Sequence, residues 1–447
     1  MNLHDLRQKY PNFIFEKYEY DFVGDRLEIK FYYSIPPDHK FTHKLLIENC
    51  LPVGALAKSG KLKNENLENL IFHVGLSLIP SYWKATCSPV IQLSTLNCQL
   101  STEQVSFWKK LFLNGMGEYF YKNQIDFTDP GFLAINTSTS NNPVTTSSQS
   151  VTTSDKILVP IGGGKDSIVT LELLKNHFTV IPFIINPVPI MYEVIKTAGI
   201  NEYIEVQSQI DPHLLELNKQ GYLNGHTPIS AFYAFTSVLT AYLINTPFIA
   251  FSNERSSNEG NTTYLGHEIN HQYSKSLEFE SDLNKYLKAN DQRLTTISYF
   301  SFLRPLYELQ ITKLFSRYPQ YFNVFSSCNQ NFKLSTINSQ LSTKWCSHCP
   351  KCVSTALMLA CFIGKEKVSE IMGSYPPDLP INQSLINQLT GKSSVKPFEC
   401  VLTRAEASAA YNAIELGQLD QLGQLLSSWM DNPNLPEKFV KILKAML

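Results

Sequence analysis

The chain has few charged residues and almost no net charge. Asp, Glu, Lys and Arg make up 17% of its 447 residues, and the formal net charge is −1. A protein that binds nucleic acid needs a basic face for the phosphate backbone. The sequence therefore predicts no nucleic-acid partner.

Neither a secretory leader nor a membrane span is expected from the sequence. Residues 1–7 are not followed by the apolar run of a signal peptide. Residues 221–253 carry no formally charged side chain, which gives them some likeness to a membrane segment. However, Asn245-Thr246-Pro247 divides them into a piece of helix length and a piece of strand length. We therefore expect a buried helix followed by a buried strand, and no membrane partner.

The nine cysteines are not distributed as disulfide pairs. Their number is odd and three fall close together, which favours thiols, a metal and a cytoplasmic location. Cys346, Cys349 and Cys352 have the two-residue spacing of a metal knuckle, and Cys328 upstream offers a fourth thiolate. We expect a closed structural zinc site. An iron–sulfur cluster and free buried thiols are the alternatives.

A glycine-rich turn at residues 162–167, here called the phosphate loop, is the most informative feature of the chain. It follows the apolar run 157–161 and precedes a helix-like stretch at 168–176. Glycines allow backbone N–H groups to face an anion, and the N-terminus of the following helix adds partial positive charge. The candidate ATP-binding residues are Gly162, Gly163, Gly164, Lys165, Asp166 and Ser167.

Two common phosphate-binding motifs do not fit this loop. A Walker A loop has Ser or Thr directly after Lys, but Asp166 intervenes here, and the Rossmann fingerprint has glycine where this chain has Ser167. The loop instead resembles the PP-loop of ATP pyrophosphatases, Ser-Gly-Gly-x-Asp-Ser, with Gly162 in place of the first Ser. That resemblance implies cleavage of ATP between the α- and β-phosphates and transfer of AMP to a substrate oxygen. An ordinary glycine-rich turn is the alternative.

Changes in residue pattern divide the chain into four predicted regions. Residues 1–135 indicate an N-terminal α+β domain, because apolar residues alternate along 27–35 as in a half-buried strand. Residues 136–154 are uncharged and of low complexity, which predicts a linker. Residues 155–365 alternate between strand and helix candidates, and residues 366–447 are mainly helical in pattern. We therefore predict an α/β fold with a doubly wound parallel sheet of the PP-loop ATP pyrophosphatase (HUP-like) type.

Charges and amides concentrate in residues 253–261, here called the polar loop, directly after the strand candidate 248–252. Ligands of such sheets bind beyond the carboxyl ends of the strands, so the phosphate loop and the polar loop should meet. We interpret the polar loop as the recognition site for a polar or anionic substrate. A solvated surface loop is the alternative.

The stretch from His267 to His271 matches the H-E-x-x-H pattern of zincin metallopeptidases. A zincin needs this pattern on a core helix, needs a third metal ligand downstream, and has no use for ATP. If the stretch is helical, His267, His271 and Lys275 share one face and could transfer protons or bind phosphates. A solvent-facing polar stripe is the alternative.

Taken together, these segments resemble the MurL family, the ATP-dependent UDP-N-acetylmuramoyl-L-alanyl-L-glutamate epimerases of peptidoglycan synthesis. The segments that carry the resemblance are 160–167, 252–261, 270–276, 303–306, 345–352 and 396–400. The resemblance implies that ATP and Mg²⁺ activate the terminal L-glutamate of UDP-MurNAc-L-Ala-L-Glu as an acyl-adenylate. A base then removes the α-proton, a proton returns on the other face, and AMP and pyrophosphate are released.

The resemblance also implies roles for individual residues. In the phosphate loop, Lys165 stabilises charge on the α-phosphate and Asp166 assists Mg²⁺, while His271 and Lys275 are the candidate acid–base groups. The candidate substrate-binding residues are Asn253, Glu254, Arg255, Glu259, Asn261 and Arg304. Two other functions stay open. One is a nucleobase- or tRNA-modifying PP-loop ligase or amidotransferase-like enzyme, and the other is a zinc-dependent binding module or zincin metallopeptidase.

Overall fold

The computed structural model of the chain describes residues 2–50, 65–94, 100–137, 155–290, 297–330 and 344–447. The helices are Leu3–Lys9 (α1), Glu65–Trp83 (α2), Thr102–Gly115 (α3), Gly117–Lys122 (α4), Lys165–Leu174 (α5), Pro189–Thr197 (α6), Pro212–Lys219 (α7), Ile229–Leu243 (α8), Leu277–Asn290 (α9), Glu308–Phe315 (α10), Pro350–Met372 (α11), Gln383–Leu389 (α12), Arg404–Leu416 (α13), Asp420–Leu426 (α14) and Glu437–Lys444 (α15). The strands are Asn12–Val23 (β1), Arg26–Ile35 (β2), His39–Glu48 (β3), Val90–Leu93 (β4), Ala134–Asn136 (β5), Lys156–Pro160 (β6), Thr179–Ile185 (β7), Ile204–Gln209 (β8), Phe248–Phe251 (β9), Thr262–Tyr264 (β10), His267–Ile269 (β11) and Ser298–Ser301 (β12).

The chain folds into two compact units, and neither is continuous in sequence. The first unit consists of Met1–Ser154, Ile204–Ile249 and Thr263–Ser298. The second unit consists of Asp155–Tyr203, Ala250–Thr262 and Tyr299–Leu447. The predicted domain boundaries stay a prediction, and residues 138–154 of the predicted linker lie outside the described residues.

The first unit is built on a sheet with strand order β8-β3-β2-β1-β4-β5. Strands β1, β2, β3 and β8 pair antiparallel, whereas β4 and β5 run parallel to β1. Strands β1 and β2 form a hairpin joined at Gly24, whose φ of +66° suits a tight turn. Leu27, Ile29 and Phe31 alternate with exposed residues and are buried, as the sequence pattern indicates.

The second unit contains β6 and β7, which pair in parallel, in the strand order β12-β9-β6-β7. The apolar run 157–161 and the strand candidate 248–252 correspond to β6 and β9. A mixed α/β fold is therefore confirmed. Because β6 leads into the phosphate loop and β9 into the polar loop, these neighbouring strands position the two candidate loops.

The C-terminal region is helical, as predicted. Helices α11 and α13 pack with α10 around a core that includes Leu309, Val353 and Ala407. A capping box formed by Thr403 and Glu406 starts α13. This packing fixes α10, the helix that carries a central residue of the candidate site.

The uncharged stretch 221–253 folds as a buried helix followed by a strand. Helix α8 ends near Asn245, whose φ of +50° turns the chain into β9. Among the described residues, none of the helices combines the length and apolar character needed to span a bilayer.

Candidate functional site

The phosphate loop begins where β6 ends, and its geometry requires glycine at position 163. Gly163 has a φ of +82°, and a Cβ at this position would lie 2.8 Å from the Cγ2 atom of Ile190. A Cβ on Gly164 would lie 3.1 Å from the Ser327 hydroxyl. Gly162 has open space instead, since no atom lies within 4 Å of its Cβ position. The backbone would thus accept the serine that the PP-loop pattern has there.

The phosphate loop leads directly into the N-terminus of α5. Gly164 is the N-cap residue, and the helix has no side-chain cap at this end. The Ser167 hydroxyl donates to the Gly164 carbonyl at 3.0 Å. Backbone N–H groups at such a helix end form a site that suits an anion.

A buried ion pair fixes the side chain of Lys165. Its Nζ atom lies 2.8 Å from Glu308 Oε2 and 2.5 Å from Asp166 Oδ1. Burial alone would lower the pKa of Lys165, but the charges of Asp166 and Glu308 outweigh it and raise the pKa above its ordinary value. Burial likewise opposes ionisation of Glu308, yet the charge of Lys165 lowers the pKa of this carboxyl. Both groups are therefore charged.

Glu308 joins the phosphate loop to the polar loop. The hydroxyl of Ser256 lies 3.0 Å from Glu308 Oε1 and 3.2 Å from Glu254 Oε1. Its single proton can serve only one of these carboxylates at a time. The two loops meet at this point, as their positions after neighbouring strands predict. Sequence reasoning missed Glu308, although it closely follows the matching segment 303–306 and opens a helix whose other residues are mostly apolar.

The buried side chain of Arg304 forms hydrogen bonds that fix the polar loop. Its side chain is fully buried, and Nη1 donates to the Glu254 carbonyl at 2.7 Å while Nη2 donates to Ser301 Oγ at 3.2 Å. Asn253 donates to the same Ser301 hydroxyl at 3.0 Å. The substrate-binding roles of Arg304 and Asn253 stay predictions, because these contacts lie within the protein itself.

Arg255 and Glu259 are also engaged with other segments of the second unit. The guanidinium of Arg255 lies 4.2 Å from the ring centre of Tyr307 and donates to Ser428 Oγ at 2.9 Å. Glu259 accepts from the backbone N–H of Arg404 at 3.3 Å. These residues tie the polar loop to the helical C-terminal region, and their role toward a substrate stays a prediction.

Asn261 pairs with the segment that starts at Lys396. Its carbonyl accepts from the backbone N–H of Lys396 at 3.0 Å, and its side-chain amide donates to the Pro397 carbonyl at 2.8 Å. Two hydrogen bonds in opposite directions fix the register between these segments. The segment 396–400 was noted in the sequence, but no role for Lys396 was predicted.

The four predicted metal ligands come together. The sulfur atoms of Cys328, Cys346, Cys349 and Cys352 all lie within 4.8 Å of one another. The separation is 3.4 Å between Cys349 and Cys352, and 3.8 Å between Cys346 and Cys352. A tetrahedral zinc ion with bonds of about 2.3 Å sets its sulfur ligands about 3.8 Å apart. The donor set therefore fits a structural zinc ion, and an iron–sulfur cluster uses the same ligands.

The segment that carries Cys328 also contacts the phosphate loop. The backbone N–H of Ser326 donates to the Gly163 carbonyl at 3.1 Å, and the Ser326 hydroxyl accepts from the Cys328 N–H at 3.1 Å. A metal bound by Cys328 would thus stabilise a segment on which the phosphate loop rests.

The H-E-x-x-H stretch does not form the helix that a metallopeptidase requires. His267 lies in strand β11, which pairs with β10, and its side chain is exposed. His271 follows in a turn and is buried. The zincin interpretation and the shared helical face are therefore wrong. The two histidines do not follow one another along a helix, so the spacing that suits a metal is lost.

His271 and Lys275 belong to the first unit. The ring of His271 packs 5.3 Å from the ring of His226, which sequence reasoning missed. Burial and the neighbouring His271 lower the pKa of His226 to about 4, whereas Glu118 opposes this shift. Lys275 ends the short 3-10 helix Tyr273–Lys275. Their proposed acid–base roles stay a prediction.

Comparison with known proteins gives matches along most of the chain. The family description "MurL N-terminal domain" matches residues 4–302, and "MurL C-terminal domain" matches residues 324–434. No solved structure gives a significant match.

Three similar curated proteins carry the name UDP-N-acetyl-alpha-D-muramoyl-L-alanyl-L-glutamate epimerase. The protein of a Micromonospora species is 34% identical over 357 residues, which are 79% of this chain and 74% of that protein. The Salinispora tropica protein is 34% identical over 354 residues, 79% of this chain and 72% of that protein. The Xanthomonas oryzae pv. oryzae protein is 31% identical over 336 residues, 74% of this chain and 71% of that protein.

The cysteine cluster predicts one bound metal ion. We expect purified protein to contain about one zinc per chain by inductively coupled plasma mass spectrometry. Cys328→Ser should lose most of this metal and lower the melting temperature, because a hydroxyl is a poor ligand for zinc. Cys361→Ser is the matched control, since this half-buried thiol lies outside the cluster. Equal metal content in the two variants would contradict the assignment of these ligands. Iron and sulfide in place of zinc would show that the four cysteines hold an iron–sulfur cluster.

Proposed function

The chain belongs to the MurL family, and we propose that it is an ATP-dependent epimerase of peptidoglycan precursor synthesis. Its substrate is UDP-MurNAc-L-Ala-L-Glu, whose terminal L-glutamate becomes D-glutamate. The proposal rests on the matches to both MurL domains. It also rests on relatives that carry this activity in their names and align with the chain over most of their length. The phosphate loop supports the dependence on ATP.

Activation by ATP answers a definite chemical difficulty. A carboxylate resists loss of its α-proton, because the carbanion would place a second negative charge beside the first. An acyl-adenylate removes the first charge and lets the carbonyl accept electron density. A base can then take the α-proton, and a proton returns on the opposite face. Hydrolysis of the adenylate releases AMP after pyrophosphate has left and makes the inversion effectively one-way.

We assign ATP binding to the phosphate loop in a sheet of the PP-loop type. The uncapped N-terminus of α5 offers backbone N–H groups to the phosphates, and Gly163 and Gly164 leave room for a close approach. Asp166 would hold Mg²⁺, which neutralises phosphate charge when bound. Lys165 is held by Glu308, so its ammonium needs little rearrangement to stabilise charge on the α-phosphate.

We assign recognition of the glutamate or the nucleotide-sugar to the polar loop. Glu254, Glu259 and Asn261 supply its polar side chains, while Arg304 and Asn253 hold its shape through buried hydrogen bonds. An arrangement fixed before binding loses less entropy when substrate arrives.

An assay with the complete substrate tests the proposed function. We expect incubation with ATP, Mg²⁺ and UDP-MurNAc-L-Ala-L-Glu to yield D-glutamate after acid hydrolysis and chiral chromatography, with equal amounts of AMP and pyrophosphate. Asp166→Asn should be inactive, since the amide loses the charge that holds Mg²⁺. Pyrophosphate without D-glutamate would reject the epimerase but retain adenylation. Neither product would reject both.

The two neighbouring glycines of the phosphate loop should respond differently to alanine. Gly163→Ala strains a left-handed backbone and contacts Ile190, at a cost of about 1–3 kcal/mol. If this strain displaces the loop, kcat/KM for ATP should fall roughly ten- to hundredfold. Gly162→Ala is the matched control with open space, and its kcat/KM should stay within about twofold. A larger loss in the Gly162 variant would contradict this account of the loop.

A further inference from the structure

Lys396 places a primary amine in the interior of the second unit. The residue is 1% exposed, and within the described parts of the chain its Nζ atom has no hydrogen-bond partner. The carboxylate of Glu259 lies 3.7 Å away, which is too far for a hydrogen bond. An ammonium group has three N–H donors, and burying them without acceptors is costly. These surroundings therefore make the ammonium form of Lys396 less favourable than it is for a lysine in water.

Lys165 shows the opposite arrangement in the same unit. This second buried lysine has carboxylate oxygens of Glu308 and Asp166 at 2.8 Å and 2.5 Å. Two charge-assisted hydrogen bonds keep it an ammonium. The unit thus holds one buried lysine suited to stabilise negative charge and another suited to accept a proton. A pair of like groups with opposed surroundings is typical of divided roles in catalysis.

Burial and the nearby charged groups set the direction in which the pKa of Lys396 is shifted. Burial lowers the pKa of Lys396 below its ordinary value, and the positive charge of Arg404 acts in the same direction. The carboxyls of Glu259, Glu308 and Glu406 oppose this shift without cancelling it. Burial and the charge of Glu308 raise the pKa of Glu406 to about 7, so that carboxyl is partly neutral near physiological pH.

The backbone places Lys396 beside the candidate site. Its N–H donates to the carbonyl of Asn261 at the end of the polar loop. Earlier in the same loop, Ser256 contacts Glu308, which holds Lys165 of the phosphate loop. Lys396 is therefore connected to the phosphate loop through the polar loop and then through Glu308 of α10, all within the second unit.

We propose that Lys396 is the base that removes the α-proton of the adenylated glutamate. The assignment rests on the proposed function and adds a catalytic residue to it. The lone pair of Nζ takes the proton from Cα, and the electrons of the C–H bond move into the acyl-adenylate carbonyl to give an enolate. The new ammonium is stabilised by the carboxylate of Glu259, 3.7 Å away. A second group returns a proton to the opposite face, so no net proton is consumed.

Lys396→Met separates proton removal from adenylation, because methionine has a similar shape but no amine. We expect solvent deuterium uptake at Cα and D-glutamate formation to fall at least about 100-fold. Exchange of labelled pyrophosphate into ATP, which reports adenylation alone, should stay within about threefold of the unsubstituted protein. Lys396→Arg should behave like Lys396→Met, since a guanidinium keeps the charge but does not release its proton. Lys392→Met, at an exposed lysine nearby, is the matched control and should leave both reactions unchanged.

The outcomes distinguish the assignment of Lys396 from the proposed function. Deuterium uptake at the normal rate in Lys396→Met would overturn the assignment, as would a parallel loss of adenylation in a variant with an unchanged melting temperature. If both variants fail to fold, the pH profile of the unsubstituted protein decides. Its deuterium uptake should increase with pH through an inflection below the ordinary lysine value of 10.5, and a profile without one contradicts the proposal. Unsubstituted protein that forms no adenylate overturns the proposed function and this inference together.

Discussion

The ion pair between Lys165 and Glu308 is the interaction on which the candidate site depends. Both side chains are buried, and each supplies the opposite charge that makes burial of the other tolerable. Through this pair, the phosphate loop is attached to α10 and, through Ser256, to the polar loop. The arrangement explains why two loops distant in sequence can act as one site. Under the proposed function, the same ion pair keeps Lys165 ordered before ATP binds.

Two further constraints shape the phosphate loop. Gly163 provides a backbone conformation that a side chain would strain, and its carbonyl accepts from the N–H of Ser326. Ser326 in turn contacts Cys328 of the metal-binding cluster. The cysteine cluster is therefore connected through Ser326 to the backbone of the phosphate loop. Such support lets a loop with three glycines keep one conformation.

Local patterns in the sequence predicted the features that depend on neighbouring residues. Alternation predicted β2, and residue spacing predicted the cysteine cluster. Glu308 and Lys396 escaped prediction because their partners are remote, with Glu308 lying 143 positions from Lys165. The helix suggested by the H-E-x-x-H pattern was wrong because a local pattern was overruled by pairing with another strand. The spacing of this pattern fits a helix, but pairing between β10 and β11 determines the backbone there. No pattern in the sequence predicted that the side chain of Arg304 is buried and hydrogen-bonded to other groups of the protein.

A double-mutant cycle on the central ion pair tests this account most directly. The free energy of unfolding would be measured for Lys165→Met, Glu308→Gln and the double variant. Lys165→Met leaves the buried carboxylate of Glu308 without its lysine and should cost about 3–5 kcal/mol. Glu308→Gln leaves Lys165 paired with Asp166 alone and should cost less. The double variant removes both charges, so its loss should be smaller than the sum by at least about 1 kcal/mol. Losses that simply add would contradict the claim that this pair joins the two loops.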